Sequence, residues 1–343
     1  MDLPDYAELH CLSHFSFQRG ASSPKELVER ALALDYRALA ITDECSLAGV
    51  VRAHQALVDV CVAAKEQGRP EPALKLLIGS EFQVNAPVPF RLVALARDRE
   101  GYARLSQFIT DLRRASPKGS YRLDAEDLRT DRLVGNELLW VPQRGAPFEA
   151  LCLQAAGFRE AFGEAAWGVV ELFHEIDDPL WLHTLREVSR RSGLPLVAAG
   201  DVHMHLRSRK PLQDVLTAIR LGRPVAACGT ALQPHGERHL RARATLARLY
   251  GAELMAASVE VASRCHFRLD ELKYDYPEEV VPEGQTPAGW LRHLTEQGAR
   301  ERYPAGVPDH VQRQIEKELA LIAFKRYEKY FLTVHDIVRF ARS

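Results

Sequence analysis

The sequence contains 6 cysteines but no C-x-x-C pair. That absence argues against a zinc ribbon and a secreted disulfide scaffold, and it fits a reducing compartment. An excess of one charge is also missing: Lys+Arg is 45 against Asp+Glu 46, a formal net charge of −1. The basic surplus behind non-specific nucleic-acid binding is therefore absent. No apolar run reaches the ~18 residues of a membrane span. The stretch Met1 to Tyr6 is acidic and has no apolar core, so it does not read as a signal peptide. Gly-x-Gly-x-x-Gly, Gly-x-Ser-x-Gly and Walker-type loops do not occur, and no Ser/His/Asp triad can be argued. A soluble, cytoplasmic protein without a nucleotide-cradling loop is the expectation.

The chain has 343 residues, is 46% hydrophobic and 27% charged, and has ordinary globular proportions. At roughly 150 residues per domain, that length suggests about two domains. Short apolar runs alternate with helical patterns over the first two-thirds. The candidate strands are Tyr6–Cys11, Ala38–Asp43, Leu76–Val84, Arg91–Ala96, Glu137–Val141, Gly168–Phe173 and Pro195–Val202. Between them, Pro24–Asp35 places Leu27, Val28, Ala31 and Leu32 on one side, with Ser23 at the N-cap and Glu26 three residues on. Asp178–Ser192 reads as a second such helix. Strand–helix alternation predicts a parallel sheet, and the lack of a dinucleotide fingerprint favours a closed barrel.

After Val202 helical patterns dominate, at Leu212–Leu221 and Leu240–Ala262. Residues 266–287 are rich in Pro and Glu and read as a linker. Helices resume at Ala288–Tyr303, His310–Phe324 and Tyr330–Arg342. The domains are thus read as 1–265, a barrel with trailing helices, and 288–343, the start of a second domain.

The acids and histidines concentrate at strand ends. His10 ends the first strand, Asp43 with Glu44 the second, and Glu81 lies late in the third. Glu171 and His174 end the sixth, Asp201 and His203 the seventh. A parallel barrel gathers such residues on one rim. Imidazoles mixed with carboxylates suit Zn²⁺, Mn²⁺ or Fe, and a carboxylate can bridge two ions. Each residue also has a plain structural reading: Thr42-Asp43-Glu44 can cap a helix. Cys11 and Cys45 lie beside the cluster and read as packing. The basic runs at 203–210 and at Arg238, Arg241, Arg243 and Arg248 read as solvated faces, the latter on predicted helices.

At these residues the sequence resembles the PHP (polymerase and histidinol phosphatase) domain. His10 to Ala21 is similar to its first motif, Ala40-Ile41-Thr42-Asp43 with Gly49 to the second, Ile78-Gly79-Ser80-Glu81 to the third, and Ala199-Gly200-Asp201-Val202-His203 to the last. More specifically, the chain resembles the N-terminus of bacterial C-family polymerases, the DNA polymerase III α subunits. The stretch Leu95 to Ser106 is similar to the segment after the third motif in those subunits. The wording of Glu8–Ser13 and Thr42–Val51 is similar to the error-prone, damage-induced branch. Tyr330-Phe331-Leu332 with Asp336-Ile337-Val338 resembles the segment before the palm.

The resemblance implies an α/β fold: a distorted seven-stranded (β/α) barrel followed by a mainly helical partial domain that begins the thumb/palm region. It implies that the catalytic aspartates of the polymerase lie beyond this chain, so no catalytic residue is expected within it. The parent activity would be DNA-directed DNA synthesis, with Mg as its ion, DNA as its partner, and sliding clamp or mutasome proteins as further partners. The candidate metal residues are His10, Asp43, Glu44, Glu81, Asp201 and His203, with His14, Glu171 and His174 weaker. Zn or Mn is the ion such a site would take. Leu12, Arg19 and Glu44 replace ligands of the family pattern, and neither a leucine nor a guanidinium ligates metal. A depleted, structural barrel is therefore expected, with Arg19 supplying positive charge to Asp43 or Glu81 in place of metal. The competing expectation is a working metal-dependent phosphoesterase, a 3′–5′ exonuclease or pyrophosphatase.

Overall fold

The computed structural model describes residues 3–128, 130–272 and 280–343. Two compact units divide between Glu271 and Leu272. Residues 273–279 of the Pro- and Glu-rich stretch lie outside the described residues.

The first unit is a nearly closed seven-stranded barrel with its strands in chain order. They are β1 (Ala7–Glu8), β2 (Ala38–Ile41), β3 (Lys75–Val84), β4 (Phe90–Ala96), β5 (Asn136–Val141), β6 (Ala166–Val170) and β7 (Leu196–Ala198). Helices α1 (Pro24–Ala33), α2 (Ala48–Glu66), α3 (Arg99–Arg114), α4 (Phe148–Phe162) and α5 (Asp178–Ser192) fall between strands, and α6 (Lys210–Leu221) and α7 (Arg243–Arg264) come after them. All seven predicted strands are present, most of them shorter than the apolar runs. The capping box of α1 forms: Ser23 Oγ accepts from the Glu26 N–H, and Glu26 accepts from the Ser23 N–H at 2.8 Å.

The expected all-parallel sheet is corrected at one strand. β4 runs antiparallel to both β3 and β5, while the other pairs are parallel. The reason is the connection. Residues 85–89 alone join β3 to β4, and a parallel crossover needs roughly a dozen residues. A hairpin is all this segment can make. The start of β4, not its end, therefore lies on the rim where the parallel strands finish.

Inside the barrel, alternate residues form one apolar cluster: Val93 and Leu95, Leu139 and Val141, Trp167 and Val169, Val197 and Ala199. This is the period of two expected of strands with one face inward. Val261, Ala262 and Cys265 of α7 join the cluster. Lys75, at the start of β3, donates to the Ala262 carbonyl at 2.7 Å, so this part of α7 lies at the end away from the rim. Beyond α7, the His266 and Phe267 N–H groups donate to the Arg97 carbonyl, and the Phe267 ring stacks on Tyr102.

β1 and β7 close the barrel with a single bridge. Cys11 opposes Val202, with Leu12 N–H donating to Val202 O at 2.8 Å and Val202 N–H to His10 O at 2.9 Å. Beneath this seam Glu8 is buried and accepts from the Gly200 N–H, the His10 N–H and the Tyr6 hydroxyl. The second unit comprises α8 (Pro287–Arg302), α9 (Asp309–Lys325) and α10 (Glu328–Arg342). Leu291 and Leu332 are buried in it, whereas Phe324, Ile337 and Phe340 are exposed.

Candidate functional site

The strand topology brings three carboxylates to one point. Glu81 lies near the end of β3, Glu171 directly after β6, and Asp201 just after β7. All three are buried, as is His10 after β1. Asp201 takes a left-handed backbone conformation, φ 42°, which is costly for a residue with a Cβ and common at sites that aim a side chain.

Arginines fill the space between these acids. Arg91 Nη1 lies 3.1 Å from Glu81 and 2.9 Å from Asp201, and its Nη2 lies 2.6 Å from Glu171. Arg19 Nη1 pairs with Glu81 at 2.7 Å and also with Glu44. Arg238 pairs with Asp201 and packs over the Phe173 ring, 4.2 Å from its centroid. Gln83 donates to Glu81, and the Tyr121 hydroxyl to Glu44.

Both ring nitrogens of His10 face carboxylate oxygens at 2.7 Å, Nδ1 toward Glu171 and Nε2 toward Glu81. An ionised carboxylate only accepts, so both nitrogens donate and the ring is an imidazolium. The electrostatics agree. Burial opposes the charge on His10, but Glu171 and Glu81 outweigh it and raise its pKa. Burial likewise works against ionised Glu171, yet Arg91 and His10 pull its carboxyl down to about 2. Arg19, His10 and Arg91 overcome burial at Glu81 and hold it well below the usual range. His203 is different: burial and nearby Arg19 push it down to about 3, so it is neutral. It contacts Asp201 through Nε2 and Gln233 through Nδ1.

Of the residues singled out in the sequence, His10, Glu81, Glu171, Asp201 and His203 converge here. Glu44 joins through Arg19. Arg19 pairs with Glu81 and Glu44, whereas Asp43 is held by the loop after β1: it accepts from the N–H and hydroxyl of both Ser13 and Ser16. His14 and His174 are exposed. Burial drives the Cys45 thiol up to about 11 and holds the Cys11 thiol well above its ordinary value.

Two members of the cluster escape sequence reasoning. Arg91 is invisible to it because a parallel β4 would put this residue at the far end of the barrel. The shortness of residues 85–89 is the available signal. Arg238 is expected on a solvated helix face, and the structure corrects this. Arg238 and Arg241 precede α7, on a loop that no periodicity marks. Arg241 is buried, donating to the Leu172 carbonyl at 2.9 Å.

One ligand atom each from His10, Glu171 and Asp201 lies within 4.8 Å of the others, a spacing that would suit a divalent ion. The partners of those atoms do not suit one. His10 has no free lone pair, and Arg91 already holds both carboxylates. Leu12, in the loop between His10 and Ser13, is fully buried and offers no donor atom. No helix among the described residues is long and apolar enough to cross a membrane.

Comparison with known proteins bears on the same residues. Residues 8–175 match the family described as PHP domain, and residues 289–343 match the bacterial DNA polymerase III alpha NTPase domain. An error-prone DNA polymerase of Methylococcus capsulatus is 53% identical over 98% of this chain and 31% of its own length. One from Azoarcus sp. is 50% identical over 100% of this chain and 33% of its own. The chain thus spans about a third of the length of these relatives. Among solved structures, an amidohydrolase from Chromobacterium violaceum is similar with a TM-score of 0.42 and 19% identity, over 58% of this chain and 87% of that one. The chain contains a PHP domain followed by the start of a DNA polymerase III alpha region, and over its whole length it is related to the N-terminal third of error-prone DNA polymerases.

Proposed function

We propose that this chain forms the N-terminal part of an error-prone DNA polymerase III alpha-like subunit. The whole protein would synthesise DNA on a template during damage-induced mutagenesis and translesion repair, in the cytoplasm. Residues 1–265 would be the supporting barrel, 266–287 a connection, and 288–343 the beginning of the thumb/palm region. Nucleotidyl transfer, its aspartates and its Mg²⁺ would belong to the part of such a polymerase that this chain does not span. DNA would be gripped there too, with a sliding clamp or mutasome proteins as further partners.

The observation that carries the supporting role is the pairing at the rim. Glu81, Glu171 and Asp201 each already hold a guanidinium. A phosphoesterase of this design needs a metal-activated water and open coordination positions. His203 is neutral, but its ring is spent on Asp201 and Gln233. A second reading, a metal-dependent exonuclease or pyrophosphatase, draws on the close grouping of His10, Glu171 and Asp201.

One assay separates them. The chain is incubated with Mn²⁺ and either 3′-labelled single-stranded DNA or pyrophosphate, beside Asp201→Ala. The supporting role predicts no turnover by either protein. Turnover by the native chain that disappears in Asp201→Ala would replace it with the second reading. The polymerase assignment is tested independently by primer extension with the full-length gene product.

A further inference from the structure

We propose that Arg91 occupies the position of a divalent cation, so that the rim is a closed ion cluster that excludes metal and needs none. The inference does not depend on the polymerase reading; it concerns only what the barrel holds.

The geometry of Arg91 is that of a bridging ion. Three carboxylates from three separate strand ends converge on one guanidinium, at 3.1, 2.9 and 2.6 Å. A planar fork with several donors can serve three acceptors at once, which a point charge such as an ammonium does less well. The residue reaches this position only because β4 is reversed. Arg91 pairs with Gln83 across β3 and with Val141 across β5, at the rim end of both strands.

The surrounding charges then balance. Arg19, Arg91, Arg238 and the His10 imidazolium face Glu44, Glu81, Glu171 and Asp201. Asp43 points into its own four hydrogen bonds from Ser13 and Ser16. Four positive groups thus meet four negative ones. A divalent ion added to this set would stand beside an arginine in a largely dry site, uncompensated. To enter, it would have to expel Arg91 from three ion pairs. Burial of an unpaired charge is strongly unfavourable, so the exchange is uphill.

The reverse substitution exposes the hidden site. Without the guanidinium, Glu81, Glu171 and Asp201 are carboxylates converging without their shared cation. Such a group is what Mn²⁺ or Zn²⁺ binds. Metal affinity should therefore appear when Arg91 is removed.

The test measures metal content and thermal stability. The 343-residue chain is purified without chelator from cells grown with added Zn²⁺ and Mn²⁺, desalted and analysed by inductively coupled plasma mass spectrometry. Melting curves are recorded with EDTA, with MnCl2 and with ZnCl2. Expected for the native chain are substoichiometric metal and superimposable melts. One or more ions retained per chain, or a melting point that falls in EDTA, would overturn the proposal. Arg91→Ala is expected to melt lower in EDTA and to recover several degrees in MnCl2 or ZnCl2. If Arg91→Ala does not fold, Arg91→Gln, which keeps polar bulk but no charge, is measured the same way. A folded variant that ignores both ions would show that the guanidinium does not stand in a cation's place, and would overturn the proposal equally.

Discussion

At the rim of the barrel, His10, Glu81 and Asp201 are as thoroughly removed from water as Leu95, Leu139 and Val197 in the interior. The two regions reach that state by different routes. The interior is a set of alternating strand residues whose side chains need only volume and shape. The rim is a set of charges, each of which would be prohibitive alone and is tolerable only with its partners. The difference shows where the sequence is free to vary in kind. Interior residues exchange for others of similar size, whereas a rim residue can change only if the charge around it changes too. Arg19, paired with Glu81 and Glu44, is a residue of that second type.

The contrast predicts a ranking of substitutions. Arg91→Ala, measured in EDTA by urea unfolding, should be the most destabilising, by about 3–5 kcal/mol, because it leaves three buried carboxylates without their shared cation. A loss below about 1 kcal/mol would erase the distinction between the two regions. Leu139→Ala comes next, at about 3 kcal/mol, from the lost burial and the cavity left behind. Its loss should be equal at pH 5 and pH 8 in the same assay, since no charge is involved.

The rim should also give way to acid. The Glu171 carboxyl is held down to about 2 from an ordinary 4.5, so its contribution to stability is complete above pH 4.5 and disappears as the pH falls toward 2. Glu171→Gln should flatten this acid limb of the unfolding free energy, by on the order of 2 kcal/mol. An unchanged acid limb would place the proton-linked stability elsewhere. Gly200→Ala is the mildest, at about 1 kcal/mol. Its new Cβ would sit 2.5 Å from Glu8 Oε2, and thermal melts should register the displacement of that buried carboxylate.

Much of this is legible in the sequence. The seven strands announce themselves as short apolar runs, and the capping box at Ser23 and Glu26 marks the start of α1. The acids and histidines at strand ends name the rim, because chain order and strand direction alone place them there. The direction of β4 cannot be read from its own residues, since Arg91–Ala96 looks the same either way round. It is set by the length of the connection before it and by its neighbours. Arg91 is lost with it. Arg238 is lost for another reason: a loop has no period, and its contact with Asp201 spans 37 positions of chain.

The single bridge between Cys11 and Val202 gives the barrel wall a hinge line. Every other neighbouring pair of strands is laced along two residues or more, so spontaneous opening should begin at this seam. His10 lies on one side of the line and Asp201 on the other, and Glu81 and Arg91 hold them from within. The ion cluster is therefore a latch across the gap. The amide protons of Leu12 and Val202 would keep time for it: their exchange with deuterated solvent reports how often the latch lets go, long before the rest of the barrel unfolds.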